Sequence, residues 1–193
     1  MDITLSEDID PEYLEDVSDI LTNREFLALN CFKHHYATTR LMHSMNVSYI
    51  SWLLAKKLGC DAKAAARAGL LHDFFLYDPK QGRPSRELQA FCHPKVAAAN
   101  SKATFDITEK EKEAILSHMF PLGPLPKTQE AWIITGADKL CACVEVFRSN
   151  SKGIVKPPVI EILRSGGTHN QAVVGEITDS SYTLIFFFGQ YCF

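Results

Sequence analysis

The chain has 193 residues, of which 46% are hydrophobic and 22% charged, and this composition is typical of a globular protein with one well-buried core. A formal net charge of −3 argues against general binding to nucleic acid or to a membrane surface, because both require a basic field. The six cysteines are too few for a disulfide framework, the N-terminus is acidic, and no run reaches the about 18 apolar residues of a membrane span. We therefore expect a cytoplasmic protein.

Two helices are predicted near the N-terminus from the spacing of apolar residues, at Pro11 to Leu21 and at Glu25 to Phe32. The pair His34-His35 lies near the end of the second helix. Histidines at that position suit the negative end of the helix dipole, so we interpret them as C-terminal residues of a helix rather than as ligands.

A long third helix begins after Thr39 and ends at Gly59, because a capping residue and a glycine enclose a broad apolar stripe. His43 lies in its first turns. Arg40 precedes His43 by three residues and shares its side of the helix, where a cation could face an anionic substrate.

Asp61 is predicted to cap a fourth helix, from Ala62 to Asp73, which ends in the run Gly69-Leu70-Leu71-His72-Asp73. Adjacent helical side chains point about 100° apart, so His72 and Asp73 can meet on one ion only beyond the helix surface. Imidazole and carboxylate are ligand types that suit Fe, Mn, Zn or Ni. The loop from 74 to 84 then begins directly at this pair, and Asp78 and Arg83 lie within it.

Three more helices are predicted, and each carries a candidate ligand. His93 stands at the entrance of one helix, directly before Pro94 in its first turn. His118 lies near the end of a helix over 107–119, whose start carries the capping-box pattern. Asp138 lies among apolar residues of a helix over 128–147, where a carboxylate costs several kcal/mol unless it is paired or bound to a metal.

The character of the sequence changes after Asn150, which divides the chain into a helical domain of residues 1–150 and a tail of residues 151–193. Residues 172–174 and 183–188 have the composition of short strands, and the turn residues 178–181 between them predict a hairpin. No role in a site follows for this tail.

Six potential ligands thus lie on five predicted helices, as in helical bundles that bind metal ions in their core. The motifs are Thr38-Thr39-Arg40-Leu41-Met42-His43, Leu70-Leu71-His72-Asp73, His93-Pro94-Lys95, His118-Met119-Phe120-Pro121-Leu122 and Ala137-Asp138-Lys139. Over Tyr36 to Glu145 the sequence resembles the HD superfamily of metal-dependent phosphohydrolases, whose pattern is H…HD…D. Two further histidines between HD and the last Asp mark its dinuclear branches.

The resemblance implies an all-α helical bundle in which His43, His72, Asp73 and Asp138 hold a first metal ion. It also implies that Asp73 bridges to a second ion, whose other ligands are His93 and His118. The ions would be divalent, with Fe or Mn expected and Zn, Ni, Co or Mg as alternatives. Catalytic roles are expected for Asp73, Asp78 and Lys139, and contacts to substrate phosphate for Arg40 and Arg83.

The function implied is hydrolysis of a phosphoester or phosphoanhydride by a metal-activated hydroxide, in a nucleotide or another small phosphorylated molecule. Neither nucleic acid nor membrane is expected as a partner, and a homodimer is left open. The stretch Phe74-Phe75-Leu76-Tyr77 replaces the HD-x-x-K pattern of several dinuclear branches, and Gly-Tyr-Pro is absent, so hydrolysis of cyclic-di-GMP is disfavoured. Diadenosine tetraphosphate is one specific candidate substrate. The alternatives are a di-iron oxygenase of the HD type and a non-catalytic metal-binding sensor or interaction module.

Overall fold

The computed structural model describes residues 9–34, 38–82 and 84–150, and the side chains of these residues as far as 146. Within those ranges the fold is all-α, as predicted, and holds seven α-helices and one 3₁₀ turn. The helices are α1 Pro11–Leu21, α2 Arg24–Leu27, α3 Arg40–Leu58, α4 Ala62–Leu71, α5 Gln89–Thr104, α6 Glu109–Ser117 and α7 Gln129–Asn150, and the 3₁₀ turn is Ala28–Cys31. The predicted hairpin of the tail and Arg83 lie outside the described residues.

The helix boundaries follow the capping chemistry of the sequence. Thr39 accepts a hydrogen bond from the amide of Met42 at the start of α3, and Gly59 ends that helix with a φ of 68°. Asp61 accepts from the amide of Ala64 at the start of α4. Thr108 and Glu111 form the predicted capping box of α6. Each such cap stabilises its helix by about 1 kcal/mol.

Several predicted helix bounds differ from the structure by a few residues, and some of these differences lie at candidate ligands. Helix α6 ends at Ser117, so His118 directly follows the helix. Helix α4 ends at Leu71, so His72 is its C-terminal cap and Asp73 lies beyond it. Helix α5 begins at Gln89, four residues before His93, and therefore contains Pro94 in its interior. Its cap residue Leu88 makes no side-chain hydrogen bond, so the sequence held no capping signal there.

The second predicted helix, from Glu25 to Phe32, is also shorter than expected. Asn23 caps α2 by accepting hydrogen bonds from the amides of Glu25 and Phe26. The helix then tightens into the 3₁₀ turn Ala28–Cys31, and Lys33 pairs with Thr39 in an isolated antiparallel bridge. This pairing turns the chain back over the start of α3.

Helix α4 lies directly against α3, and small residues allow the contact. The alanines at 64, 65, 66 and 68 are buried. Gly69 is the tightest point, because a Cβ atom there would lie 2.7 Å from the Cα atom of Ser48. The close approach brings the end of α4 beside His43.

A partly buried charge network joins the first, fourth and sixth helices. The Arg67 guanidinium donates from Nε to Glu111 Oε1 (3.0 Å) and from its NH1 nitrogen to Asp19 Oδ1 (2.6 Å). Arg67 and Glu111 are both buried, so the pair fixes the position of α4 relative to α6.

Two further findings concern cysteines and membranes. Cys60, Cys92, Cys141 and Cys143 are free thiols, whereas Cys31 is exposed and disulfide-bonded. Among the described helices, we find none that combines the length and the apolar character needed to cross a membrane.

Candidate metal centre

The six residues predicted as ligands come together at one place in the fold. His43 lies on α3, His93 on α5 and Asp138 on α7. His72 and His118 are the residues that directly follow α4 and α6, and Asp73 follows His72. All lie in the interior, Asp138 being the most accessible with 14% of its side chain exposed. Their convergence rests on five separate helices.

Three histidines are oriented by the same local device. The Nδ1 atoms of His72 and His118 lie 2.7 and 2.8 Å from the carbonyl oxygens of Gly69 and Ile115, each three residues earlier. The Nδ1 atom of His93 lies 2.6 Å from the carbonyl oxygen of Gln89. A carbonyl oxygen only accepts hydrogen bonds, so Nδ1 carries the proton in all three rings and Nε2 keeps its lone pair.

These Nε2 lone pairs point into the centre. His93 Nε2 and His118 Nε2 lie 3.0 Å apart, a distance at which two lone pairs repel unless a proton or a cation lies between them. His72 Nε2 and Asp73 Oδ1 are buried and have no hydrogen-bond partner. An unsatisfied buried polar atom costs about 1 to 3 kcal/mol. Such a centre is adapted to a cation.

The Asp73 carboxylate separates two groups of imidazoles. Its Oδ1 atom lies 3.3 Å from His93 Nε2 and 3.9 Å from His118 Nε2. Its Oδ2 atom lies 4.0 Å from His72 Nε2 and 3.8 Å from His34 Nδ1. Each carboxylate oxygen therefore faces two ring nitrogens.

The donor set fits a divalent metal ion. The described part of the chain contains three groups of residues whose ligand atoms lie within 4.8 Å of one another inside each group. The groups are His34 with His43 and Asp73, His43 with His72 and Asp138, and His72 with Asp73 and His118. Two ligands that each lie about 2.1 Å from one ion are at most about 4.2 Å apart, so only a small contraction would be needed. Imidazole and carboxylate donors without thiolates suit Fe, Mn, Zn, Ni or Co.

Glu145 belongs to this centre and was missed by the sequence reasoning. Both of its carboxylate oxygens lie 3.1 Å from His43 Nδ1, and Oε2 also accepts from the hydroxyl of Thr38 (3.2 Å). On the other side of the ring, His43 Nε2 lies 3.1 Å from Asp138 Oδ1. Glu145 follows Asp138 by seven residues, which is two helical turns, and this spacing was the signal that could have found it.

The surroundings raise the pKa of one candidate histidine ligand and lower the pKa of two others. Burial would lower the pKa of His43, but the hydrogen bonds that its ring donates to Asp138 and Glu145 raise it to about 10. Burial lowers the pKa of His118 to about 3, and it lowers the pKa of His72 as well. The neighbouring histidines hold the pKa of Asp73 well below its ordinary value despite burial, and His43 does the same for Asp138. At neutral pH the metal-free centre thus contains neutral imidazoles at His72 and His118, a protonated imidazole at His43, and ionised carboxylates at Asp73 and Asp138.

His34 also lies at the centre, whereas the sequence indicated only the end of a helix. Its ring stacks on the ring of His43 with centroids 4.0 Å apart. Its backbone amide donates to the carbonyl oxygen of Thr38 (2.9 Å), so pairing between two non-helical segments places it there. No local pattern could have shown this contact.

A comparison with known families decides what this centre belongs to. The sequence model described as the HD domain matches residues 40–143, which is more than half of the chain. The protein is a member of the HD domain family. The match begins three residues before His43 and ends five residues after Asp138, so it contains all six predicted ligands of the HD centre.

Curated relatives of this HD domain share a short segment with it. Ribonuclease Y of Aquifex aeolicus (strain VF5) is 55% identical over 42 residues, and those of Bacillus velezensis (strain DSM 23117 / BGSC 10A6 / LMG 26770 / FZB42) and Bacillus subtilis (strain 168) are 52% identical over the same length. The segment covers 22% of this chain and only 8% of each of those proteins. No solved structure gives a significant match.

Arg40, predicted to contact substrate phosphate, lies in the interior beside the HD centre. Its two terminal nitrogens donate to the carbonyl oxygens of Phe75 and Tyr77, and its guanidinium carbon lies 3.6 Å from the centroid of the Phe75 ring. Burial lowers its pKa. In this geometry Arg40 holds the chain that follows Asp73, and its contact to phosphate stays a prediction.

The other predicted polar residues differ in their distance from the centre. Lys139 Nζ donates to Asp138 Oδ2 (3.0 Å) and to the carbonyl oxygen of His118 (2.8 Å). It therefore links the side chain of one candidate ligand to the backbone of another. Asp78 accepts from the amide of Lys80 (2.9 Å) and thereby shapes a turn of the loop. Catalytic roles for Lys139 and Asp78 stay predictions, as does the role of Arg83.

Proposed function

We propose that this HD domain hydrolyses a phosphoester or phosphoanhydride bond of a nucleotide or another small phosphorylated molecule. The HD family comprises metal-dependent phosphohydrolases in general, and this membership supports the reaction type. The observation that carries the proposal is the set of buried, inward-facing lone pairs: His93 and His118 at 3.0 Å, and His72 Nε2 and Asp73 Oδ1 without partners.

A bound divalent ion supplies Lewis acidity at the phosphoryl group and lowers the pKa of water to near neutrality. The residues of the chain would provide the remaining parts. Asp73 would hold its carboxylate between the two groups of imidazoles, and Glu145 would fix the ring of His43 through Nδ1. The Lys139 ammonium, which donates to Asp138 Oδ2 at 3.0 Å, would neutralise negative charge as a phosphate approaches.

Two ions, with Fe or Mn as the expected metals, are part of this proposal. One carboxylate oxygen of Asp73 faces His93 and His118, and the other faces His72. This arrangement supports a role for Asp73 as a bridge between two ions. Elemental analysis of the His118→Ala variant tests it, because the loss of one ion per chain is expected with the other retained. A count of two ions in the variant would contradict the bridging arrangement.

The decisive experiment combines metal analysis with a substrate panel. The purified chain is loaded with Mn²⁺ or Fe²⁺ and assayed for phosphate or nucleotide release from nucleoside mono-, di- and triphosphates and dinucleoside polyphosphates. Asp73→Asn keeps the shape of the side chain but removes its charge, so bound metal and turnover should both be lost. Asp106→Asn is the matched control, because Asp106 is fully exposed. Full turnover by Asp73→Asn would refute the proposal.

The likeness to ribonuclease Y favours a second candidate, cleavage of a phosphodiester bond in RNA. The shared segment is short, and the net charge of −3 offers no broad basic surface for a polynucleotide. A short single-stranded RNA therefore belongs in the same panel. Release of nucleotides from RNA, with no turnover of small substrates, would decide for this second candidate.

A cytoplasmic location is the remaining part of the proposal, and the oligomeric state stays open. The location rests on the composition, whereas a disulfide at Cys31 is typical of an oxidising compartment, so the redox state of the cysteines tests it. Titration of free thiols in protein taken from cells should find the cysteines reduced if the compartment is the cytoplasm. Light scattering would establish the oligomeric state.

A further inference from the structure

We infer that His34 is an additional ligand of the metal centre, on the solvent side of Asp73. The inference rests on the metal centre within the proposed function and not on any particular substrate. None of the HD motifs includes His34, and the sequence alone indicated a residue at a helix end. The structure instead places its ring among the ligands.

The first support is that the backbone determines the position of His34. The amide of His34 donates to the carbonyl oxygen of Thr38 (2.9 Å), and the amide of Arg40 donates to the carbonyl oxygen of Phe32 (2.8 Å). With the bridge between Lys33 and Thr39, these bonds fix the segment against the start of α3. The ring is therefore presented to the centre by paired chain segments.

The second support is the position of the ring atoms. His34 Nδ1 lies 3.8 Å from Asp73 Oδ2, which is longer than a hydrogen bond and within the separation of two ligands on one ion. Ligand atoms of His34, His43 and Asp73 lie within 4.8 Å of one another, as do those of His43, His72 and Asp138 and those of His72, Asp73 and His118. Asp73 Oδ2 lies 4.0 Å from Nε2 of the buried His72 and 3.8 Å from Nδ1 of the more exposed His34. The two imidazoles therefore lie at similar distances from the same carboxylate oxygen.

The third support is accessibility. The side chain of His34 is 19% exposed, whereas those of His43, His72 and His118 are 1% exposed or less. A ligand at this edge could be exchanged without disturbing the core, whereas the buried side chains of His43, His72 and His118 would hold the ion. His34 would thus be the ligand that an incoming substrate oxygen replaces.

The test uses metal binding, which does not depend on turnover. The metal-free full chain is titrated with Co²⁺, and the affinity is measured together with the ligand-field absorption, which reports the number and kind of ligands. His34→Ala removes both the ring and the donor atom. His34→Phe keeps a ring that can stack on His43 but offers no donor. Lys33→Gln is the control, because Lys33 is the exposed neighbour on the same segment.

We expect both His34 variants to bind Co²⁺ about 10-fold or more weakly than the unchanged chain and to show an altered absorption spectrum. The control should match the unchanged chain in both. If His34→Phe restores the affinity, or if the spectrum of His34→Ala is unchanged, His34 acts by stacking and the inference is wrong. Absence of hydrolysis in the unchanged chain would refute the proposed function but leave this result intact.

Discussion

Gly69 offers the sharpest test of how the fold positions the centre. In the Gly69→Ala variant the new Cβ atom would lie 2.7 Å from Ser48 Cα and 3.1 Å from Ser48 N. Both are backbone atoms of α3, so no side-chain rotation relieves the contact. An ordinary contact of 3.4 Å requires α3 and α4 to separate by about 0.7 Å. Overpacking of this kind costs about 1 to 3 kcal/mol.

Gly136→Ala is the matched control, because Gly136 also lies inside a helix and a Cβ atom there meets nothing within 4 Å. Both variants gain about 1 kcal/mol of helix propensity, so the difference between them isolates the cost of overpacking. We expect Gly69→Ala to be about 1 to 3 kcal/mol less stable than Gly136→Ala in urea unfolding followed by circular dichroism. Its melting temperature should be lower by about 2 to 12 °C.

The same substitution should also affect the metal, because the carbonyl oxygen of Gly69 accepts the hydrogen bond that orients His72. A shift of α4 moves His72 and Asp73 together relative to His43. We therefore expect about 10-fold weaker metal binding in Gly69→Ala and unchanged binding in Gly136→Ala. Equal stability and equal metal affinity in the two variants would refute the account of the contact between α3 and α4.

Three further outcomes are expected. Glu145→Gln, which keeps its shape but loses the charge that holds His43 Nδ1, should weaken metal binding about 10- to 100-fold in calorimetry with the helical signal unchanged. Arg67→Met leaves Glu111 buried and unpaired, and should lower the free energy of unfolding by about 3 kcal/mol or more; adding Glu111→Gln should recover part of this loss, and no recovery would contradict the pairing. The metal-free chain should lose stability as the pH falls from 6.5 towards 3, because His118, with a pKa of about 3, stays neutral when folded and binds a proton when unfolded. The slope is about 1.4 kcal/mol per pH unit for one such histidine, and urea midpoints that do not change between pH 6.5 and 5.5 would be inconsistent with it.

The helices and the convergence of the six candidate ligands could be predicted because both have local signals. Capping residues such as Asp61 and Thr108 mark helix starts, and a charged residue such as Asp138 within an apolar helix indicates a paired or metal-bound group. The predicted start of α5 was wrong because Leu88 makes no capping hydrogen bond and because Pro94 is typical of the first turn of a helix.

The residues that were missed depend on contacts between distant parts of the chain. His34 reaches the centre through backbone pairing with Thr38, outside any helical period. Arg40 shares a helix face with His43, as expected, but its nitrogens contact the carbonyl oxygens of Phe75 and Tyr77, which no pattern of side chains encodes. Glu145 alone carried a usable signal, its spacing of seven residues from Asp138. Tertiary placement, more than helix content, limits what the sequence can tell about this centre.

The ends of two helices favour a cation over an anion as the first ligand of this site. His72 and His118 cap the C-termini of α4 and α6, where the backbone carbonyl groups carry partial negative charge. The ionised carboxylates of Asp73 and Asp138 add to this negative potential, and the imidazoles of His72 and His118 remain neutral. Inorganic phosphate should therefore bind only after a divalent metal has bound.

Calorimetry can test this order directly. Phosphate titrated into the chain loaded with Mn²⁺ should give a measurable affinity, and titrated into the metal-free chain it should give none. Because coupling between two ligands is reciprocal, phosphate should tighten Mn²⁺ binding by the same factor. Equal phosphate affinity with and without metal would mean that the nearby cations Arg40 and Lys139 suffice to hold the anion, and the electrostatic argument would fail.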